Sequence, residues 1–162
     1  MNRLIERLIH GLSMGLIWIA GAFLLGMVLL TSANILIRIF TVPISGTFEL
    51  MGYFGAVAAA LALGYTQLRK GHIFVDIVFN VFPRKLQKAL SLINSLICFF
   101  FFALISRQLV IWGTTLKNSG QVTETLNIIY YPFVYAVALG CAVLCLVFFI
   151  EICLVFTQKD AH

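Results

Sequence analysis

Four long apolar runs constrain the fold of this 162-residue chain more than any other feature. They extend over residues 12–37, 50–68, 90–112 and 128–156. About 20 mostly apolar residues suffice to cross a bilayer, and lipid offers no hydrogen-bond partners to a backbone, so each run is predicted to be a helix. The runs lack the two-residue alternation of a membrane β-barrel. The sequence therefore predicts an all-α membrane protein, with four transmembrane helices in a single domain of residues 1–162.

Composition excludes the main soluble classes. The chain is 62% hydrophobic and 10% charged, whereas a soluble domain is about 45–50% apolar and about 25% charged. A domain of about 150 residues buries only about 70% of its surface, so a soluble enzyme of this composition is excluded. All four cysteines lie inside apolar runs, which argues against a secreted disulfide scaffold. The first run is too long for the apolar part of a cleavable signal peptide, so Met1 is expected to begin the mature protein.

The basic residues indicate how the chain is oriented in the membrane. The formal net charge is +5, but Lys and Arg form short clusters between apolar runs and not the basic stripe of a nucleic-acid-binding surface. If the spans alternate, eight of these residues lie on one side: Arg3, Arg7, Arg69, Lys70, Arg84, Lys85, Lys88 and Lys159. Three lie on the other: Arg38, Arg107 and Lys117. Because basic segments stay in the cytoplasm, both termini are predicted to be cytoplasmic.

Two shorter segments are predicted to lie flat at the cytoplasmic membrane surface. Residues 1–11 place polar and apolar side chains on opposite faces of a helix, which is typical of an amphipathic interfacial helix. Residues 73–82 are too few to span the bilayer, and their polar side chains, Asp76 and Asn80, share one helix face. Pro83 then favours a turn into the third span.

The middles of the four runs contain no Asp, Glu, Lys, Arg or His. A carrier that couples transport to protons or cations on its own usually needs an acidic residue at that depth. His10 and His72 lie at the cytoplasmic edge, which is unsuited to the paired axial ligands of a membrane haem. The sequence has no Ser–His–Asp set, glycine-rich phosphate loop or pair of carboxylates at catalytic spacing. We therefore expect no enzyme activity, no metal and no cofactor in this chain.

Asn34, Arg38 and Glu49 flank the first outward connection and are candidate structural or partner-contact residues. Asn34 and Arg38 are four residues apart on one helix face, and Glu49 comes just before the second apolar run. A bidentate pair between Arg38 and Glu49 would fix the first hairpin or dock a partner. Solvation of both side chains at the headgroup level explains the pattern equally well.

The remaining polar candidates lie near the other span ends. Gly71 permits a sharp change of direction, and His72 and Asp76 are four residues apart, close enough for a hydrogen bond. We interpret this segment as an architectural corner and not as a catalytic site. Arg107 is expected to extend to the outer headgroups, or else to face a partner helix. Glu151 is expected to extend in the same way near the inner end of the fourth span.

Several short motifs follow one another along nearly the whole chain. In order they are Asn34-Ile-Leu-Ile-Arg38, Ser45-Gly-Thr-Phe-Glu49-Leu50, Arg69-Lys-Gly-His72-Ile-Phe-Val-Asp76 and Gly120-Gln-Val-Thr-Glu-Thr-Leu126, the last followed by Tyr130-Tyr131. This order resembles the small membrane subunit (DctQ type) of tripartite ATP-independent periplasmic (TRAP) transporters. The Gly-His-x-x-x-Asp corner is the most specific part of the resemblance. In that family a proline tends to open the fourth span, whereas here Pro132 comes slightly later.

The resemblance implies a function that composition does not. Such transporters join this subunit to a large multi-span permease subunit and a periplasmic substrate-binding protein in the bacterial inner membrane. They import organic acids, such as C4-dicarboxylates or sialic acid, with a sodium gradient. The large, elevator-type subunit holds the substrate and sodium sites, and the small subunit is a static scaffold. Membrane lipids are the other expected partners, and nucleic acid is not one.

Two other interpretations stay open at this point. A homo-oligomeric small transporter or channel would be active alone in liposomes. A membrane anchor of a respiratory complex would bind haem or quinone. If the chain is a scaffold, small residues of the second span are expected to pack against the large subunit. They are Gly55, Ala58, Ala59, Ala62 and Gly64.

Overall fold

Four helices make up most of the computed structural model, which describes residues 3–40, 42, 44–68 and 84–157. They are α1 (Arg3–Phe40), α2 (Thr47–Leu68), α3 (Arg84–Ser119) and α4 (Tyr131–Thr157). Each contains a segment long and apolar enough to cross a membrane: Met14–Phe40, Thr47–Gln67, Ala89–Ser119 and Tyr131–Cys153. Within the described residues, β pairing is limited to an isolated bridge between Val122 and Ile129. The prediction of an all-α protein with four spans is confirmed.

The first helix is longer than the first predicted span. It continues without a break from Arg3 to Phe40, and so joins the predicted interfacial segment 1–11 to the span 12–37. Gly11 lies at the predicted boundary, but a glycine inside a helix costs only about 1 kcal/mol and does not by itself end the helix. The second predicted interfacial helix, at 73–82, lies outside the described residues, as do Gly71, His72 and Asp76.

The fourth helix begins at Tyr131, after the predicted start of the fourth span at residue 128. Pro132 lies in its first turn, where the missing N–H is not needed and the fixed φ suits a helix. Ile128 and Ile129 belong to the preceding connection, in which Ile129 pairs with Val122. Because these isoleucines are as apolar as the helix that follows, composition alone placed them in the span.

The helices pack in an order that differs from their order in the chain. α1 packs on α2, α2 on α4, and α4 on α3. Among the described helices no other pair makes more than marginal contact, so α1 and α3 are the free edges of an open row. The buried cluster lies where Leu16 and Ala20 of α1 meet Val57 and Leu61 of α2 and Val143 of α4. We call the end of the row with the α1–α2 and α3–α4 connections the loop end, and the opposite end the terminal end.

Small residues let α2 and α4 approach closely. A Cβ atom added at Gly140 would lie 2.6 Å from both the carbonyl carbon and the carbonyl oxygen of Ala60, so the two backbones touch there. A Cβ atom at Gly64 would lie 3.2 Å from Cγ1 of Val143. Close approach at small residues is the usual way in which membrane helices gain packing energy, because lipid is as apolar as the side chains.

This packing uses most of the small residues that were expected to contact a large subunit. Ala58 and Gly64 are buried in the chain itself. Gly55 approaches α1, and Ala62 packs on the buried cluster. These four residues therefore take part in the chain's own helix contacts, and their contact with a large subunit stays a prediction. Ala59, in contrast, is exposed.

Candidate functional site

Glu49, in the first turn of α2, holds the connection between α3 and α4. Its Oε1 accepts a hydrogen bond from the backbone N–H of Thr125 (2.8 Å), and its Oε2 accepts one from the N–H of Leu126 (3.4 Å). Hydrogen bonds to an ionised acceptor are roughly twice as strong as neutral ones. The carboxylate therefore ties the start of α2 to a connection more than 70 residues further along the chain.

Asn34 and Thr47 shape the connection between α1 and α2. The backbone N–H of Ile44 donates to Oδ1 of Asn34 (2.9 Å), and the hydroxyl of Thr47 donates to the carbonyl of Ile44 (2.8 Å). Thr47 is 1% exposed. Gly46 has φ +77°, a conformation that favours a residue without Cβ. These contacts fold the connection back onto the last turns of α1.

The connection between α3 and α4 is closed by its own hydrogen bonds. The backbone N–H of Thr123 donates to the carbonyl of Ile128 (2.9 Å), and that of Asn127 donates to the carbonyl of Thr123 (3.1 Å). The N–H of Ile128 also donates to the Thr123 hydroxyl (3.2 Å). The side chain of Leu126 covers Gly46, so the two connections of the loop end contact each other.

Aromatic rings join α2, α3 and α4 at the loop end. Tyr53 stacks on Tyr130, with 5.6 Å between ring centroids, and on Phe133, with 5.3 Å. Trp112 of α3 meets Tyr130 edge to face at 6.5 Å. Aromatic pairs contribute about 0.5–1.5 kcal/mol each beyond their buried area. Together with the hydrogen bonds of Glu49, these rings hold α2, α3 and α4 against one another at the loop end.

Arg38 lies outside this network. Its side chain is exposed, and among the described residues it forms no ion pair with Glu49. The carboxylate of Glu49 is bound by the α3–α4 connection instead, and Asn34 is bound by Ile44. The structure thus gives Glu49 a different partner from the one considered from sequence.

Glu151 joins three helices at the terminal end. The side-chain amide of Gln67, near the end of α2, donates to both carboxylate oxygens of Glu151 at 2.9 and 3.0 Å. The hydroxyl of Ser95 on α3 donates to Oε2 at 3.4 Å. Gln67 and Ser95 are only 7% and 6% exposed. A buried polar group without a partner costs about 1–3 kcal/mol, so Glu151 provides acceptors that these side chains need.

Sequence reasoning missed this terminal tie, which we define as Gln67, Ser95 and Glu151. It expected Glu151 to extend to the headgroups, whereas the carboxylate turns inward to Gln67. A signal was present: Tyr131 and Glu151 are about 30 Å apart along a helix, which is one hydrocarbon thickness. Gln67 and Ser95 lie near the corresponding ends of their own spans. Three polar side chains at one depth indicate a shared contact.

Free thiols lie inside α3 and α4. In the part of the chain that the structure describes, no group of three or more His, Cys, Asp or Glu side chains is placed to hold a metal ion. Cys98, Cys141 and Cys145 are not in disulfides. The Cys145 thiol lies 3.7 Å from the carbonyl oxygen of Phe99, a weak hydrogen bond between the two helices. These cysteines act as small packing residues.

Gly46→Ala is expected to loosen the loop end. The added Cβ atom would lie 2.6 and 2.8 Å from the two Cδ atoms of Leu126, in a backbone conformation that already disfavours it. Limited proteolysis of the purified chain should cut the connection between α3 and α4 roughly 5–30-fold faster, the factor that one or two kcal/mol produces.

Gly120→Ala is the matched control for this experiment. Gly120 also has a positive φ of +61°, but nothing lies within 4 Å of its added Cβ atom. The comparison separates backbone strain from the contact with Leu126. Equal cleavage rates in the two variants would contradict the contact between the two connections.

Comparison with known proteins identifies the family of the chain. Residues 27–158 match the family model for tripartite ATP-independent periplasmic transporters, DctQ component. The chain belongs to the DctQ family. Neither the curated proteins nor the solved structures contain a match to it. The matched DctQ region includes Glu49, its partners and the terminal tie, and the family is one of transporter components, not of enzymes.

Proposed function

We propose that this DctQ chain is the static scaffold of a sodium-driven importer of organic acids, of the C4-dicarboxylate or sialic acid type. In this proposal it supports a large elevator-type permease subunit that holds the substrate and sodium sites. A periplasmic binding protein delivers the substrate. The chain lies in the bacterial inner membrane with both termini in the cytoplasm, as the distribution of Lys and Arg indicates.

The observation that carries the proposal is that the carboxylates of Glu49 and Glu151 are bound within the chain, one towards each end of the row. Glu49 is engaged at the loop end, and Glu151 at the terminal end. The middles of the four apolar runs contain no Asp, Glu, Lys, Arg or His that could bind a coupling ion. Because hydrogen bonds join the helices at both ends of the row, we expect the helices to keep their relative positions. This is the property of a support for a moving partner and not of a carrier, whose own helices must move.

A small-residue face on α2 is the surface that we assign to the large subunit. Gly52, Ala56 and Ala59 are exposed at spacings of four and three residues, so they line one side of the helix. The buried face of α2 already packs on α1 and α4. Membrane helices associate through small residues, which let backbones approach closely.

Ala59→Leu is expected to weaken assembly with the large subunit. Overpacking a close helix contact costs about 1–3 kcal/mol, so copurification of the large subunit should fall several-fold while the chain itself stays folded. Ala89→Leu, at an exposed position on the edge helix α3, is the matched control. If both variants retain the large subunit as the wild type does, this face of α2 is not the interface.

Reconstitution tests the proposed function directly. The chain, the large permease subunit and the binding protein would be placed in liposomes with an inward sodium gradient, and uptake of labelled C4-dicarboxylate or sialic acid would be measured. Uptake is expected only when all three proteins are present. Uptake by this chain alone would support the homo-oligomeric transporter and contradict the scaffold.

A further inference from the structure

Arg107 of α3 lies inside the membrane span, at a depth that contacts with α4 define. The hydroxyl of the neighbouring Ser106 donates to the carbonyl of Ala138 (3.1 Å), which is about two turns inside α4. The aromatic pair of Trp112 and Tyr130 lies about 7 Å further towards the loop end. The terminal tie lies on the other side of Arg107, about 18 Å away along α3. The backbone of Arg107 is therefore at the level of acyl chains.

The side chain of Arg107 faces out from the free edge of the row. It is exposed, as is that of Gln108, and among the described helices α3 packs closely only on α4. Within the described part of the chain, neither side chain has a hydrogen-bond or ion-pair partner. The Cα–Cβ bonds of a helix tilt towards its N-terminus, which for α3 is at the terminal end. The bond at Arg107 therefore tilts towards the middle of the membrane and away from the nearer surface.

A guanidinium at this depth requires an anionic acceptor. Arginine stays ionised in proteins, and acyl chains offer it no hydrogen-bond partner. Ionisable side chains within membrane spans are accordingly found paired or facing a protein interior. The planar fork of arginine matches a carboxylate, which neutralises the charge and accepts two hydrogen bonds at once.

The chain itself has no free carboxylate to offer at this level. Of its six Asp and Glu residues, only Glu151 falls inside an apolar run, and the Gln67 amide already binds it. A second copy of the chain would be equally unable to supply the acceptor. Charge complementarity therefore points to a different polypeptide with an acidic residue inside the membrane.

We infer that Arg107, with Gln108 beside it, binds an Asp or Glu on a membrane helix of the large permease subunit. That helix packs on the edge of α3 along Ile97, Phe101 and Leu104, which are 58–64% exposed. The identity of the partner rests on the proposed function, whereas the need for a carboxylate follows from the depth of Arg107. This contact is separate from the small-residue face of α2, so different variants test the two surfaces.

Photocrosslinking in cells that express the whole transporter tests which molecule covers this edge. Gln108 would be replaced by photoreactive benzoylphenylalanine, and the products would be separated by mass. A crosslink to the large subunit is expected. Crosslinks to lipid alone, or to a second copy of this chain, would overturn the inference.

Copurification of the large subunit tests the role of the charge. Arg107→Gln leaves the partner carboxylate unpaired in the membrane, so the amount of large subunit retained should fall about tenfold, equivalent to about 1.4 kcal/mol. Arg107→Lys keeps the charge and should lose less. Lys117→Gln removes the same charge in the last turn of α3 and is the matched control, which should retain the large subunit as the wild type does. Equal retention in Arg107→Gln and the wild type would overturn the inference.

A charge reversal identifies the acceptor. In the Arg107→Glu background, each Asp or Glu within the membrane helices of the large subunit would be replaced by Lys, one at a time. One of these replacements is expected to restore copurification, and restoration by none would contradict a carboxylate acceptor. If the wild-type chain retains no large subunit at all, the proposed function fails as well. If the wild type retains it and Arg107→Gln does too, only the contact at Arg107 fails.

Discussion

Gly140→Ala is expected to lower the thermal stability of the purified chain more than any other single methyl addition considered for it. The new Cβ atom would lie 2.6 Å from the backbone carbonyl of Ala60, and a backbone cannot move aside as a flexible side chain can. α2 and α4 would have to separate at the centre of the row. Overpacking of this kind costs about 1–3 kcal/mol. The unfolding midpoint should fall by about 2–4 °C for each kcal/mol.

Gly21→Ala is the matched control for this prediction. Gly21 also lies inside a long helix, but nothing is within 4 Å of its added Cβ atom. Both variants gain the same helix propensity, about 1 kcal/mol for glycine to alanine. The difference between them therefore isolates the contact with Ala60. Differential scanning fluorimetry in detergent, followed through Trp18 and Trp112, gives the midpoints. Equal midpoints would show that α2 and α4 are not in backbone contact.

Glu151→Leu is expected to be the most destabilising change at the terminal end. It removes the acceptor of the Gln67 amide, which is 7% exposed and would be left without this partner. Leaving a buried donor unsatisfied costs about 1–3 kcal/mol. The double variant with Gln67→Leu removes both polar groups and should recover part of the loss. A double-mutant cycle on the unfolding midpoints should therefore give a non-zero coupling, of about 0.5–3 kcal/mol for residues in contact.

The control for the terminal tie is Asn94→Leu. Asn94 precedes Ser95 on α3, but its side chain is exposed, so the same kind of substitution should leave the midpoint close to that of the wild type. Strict additivity of Gln67→Leu and Glu151→Leu would mean that the two side chains do not share a hydrogen bond. In that case Glu151 would be the membrane-surface residue that its sequence position suggested.

The number and type of the helices were predictable because each span meets a local requirement. A run of about 20 apolar residues must satisfy its own backbone in lipid, whatever lies beside it. The extra length of α1 and the later start of α4 at Tyr131 were harder to predict from the sequence. Both depend on whether a neighbouring polar or apolar residue continues a helix or joins a connection, and composition does not distinguish these outcomes.

The partners of the polar side chains were predicted less well. Spacing along one helix brought Asn34 and Arg38 together and suggested Glu49 as their neighbour. The structure binds Asn34 to Ile44 and Glu49 to the connection between α3 and α4. Those bonds depend on where two separate connections meet in space, which spacing within a helix does not encode.

The sequence by itself determined that this protein has four segments able to cross a membrane, and that the middles of its apolar runs lack Asp, Glu, Lys, Arg and His. These properties follow from the free energy of placing each residue in lipid, which is largely a property of that residue. Only the tertiary structure decided that α2 lies between α1 and α4, that Gly140 touches Ala60, and that Glu151 turns inward to Gln67. Such contacts depend on the rotation and offset of one helix against another, and those are set by the packing of all the helices together.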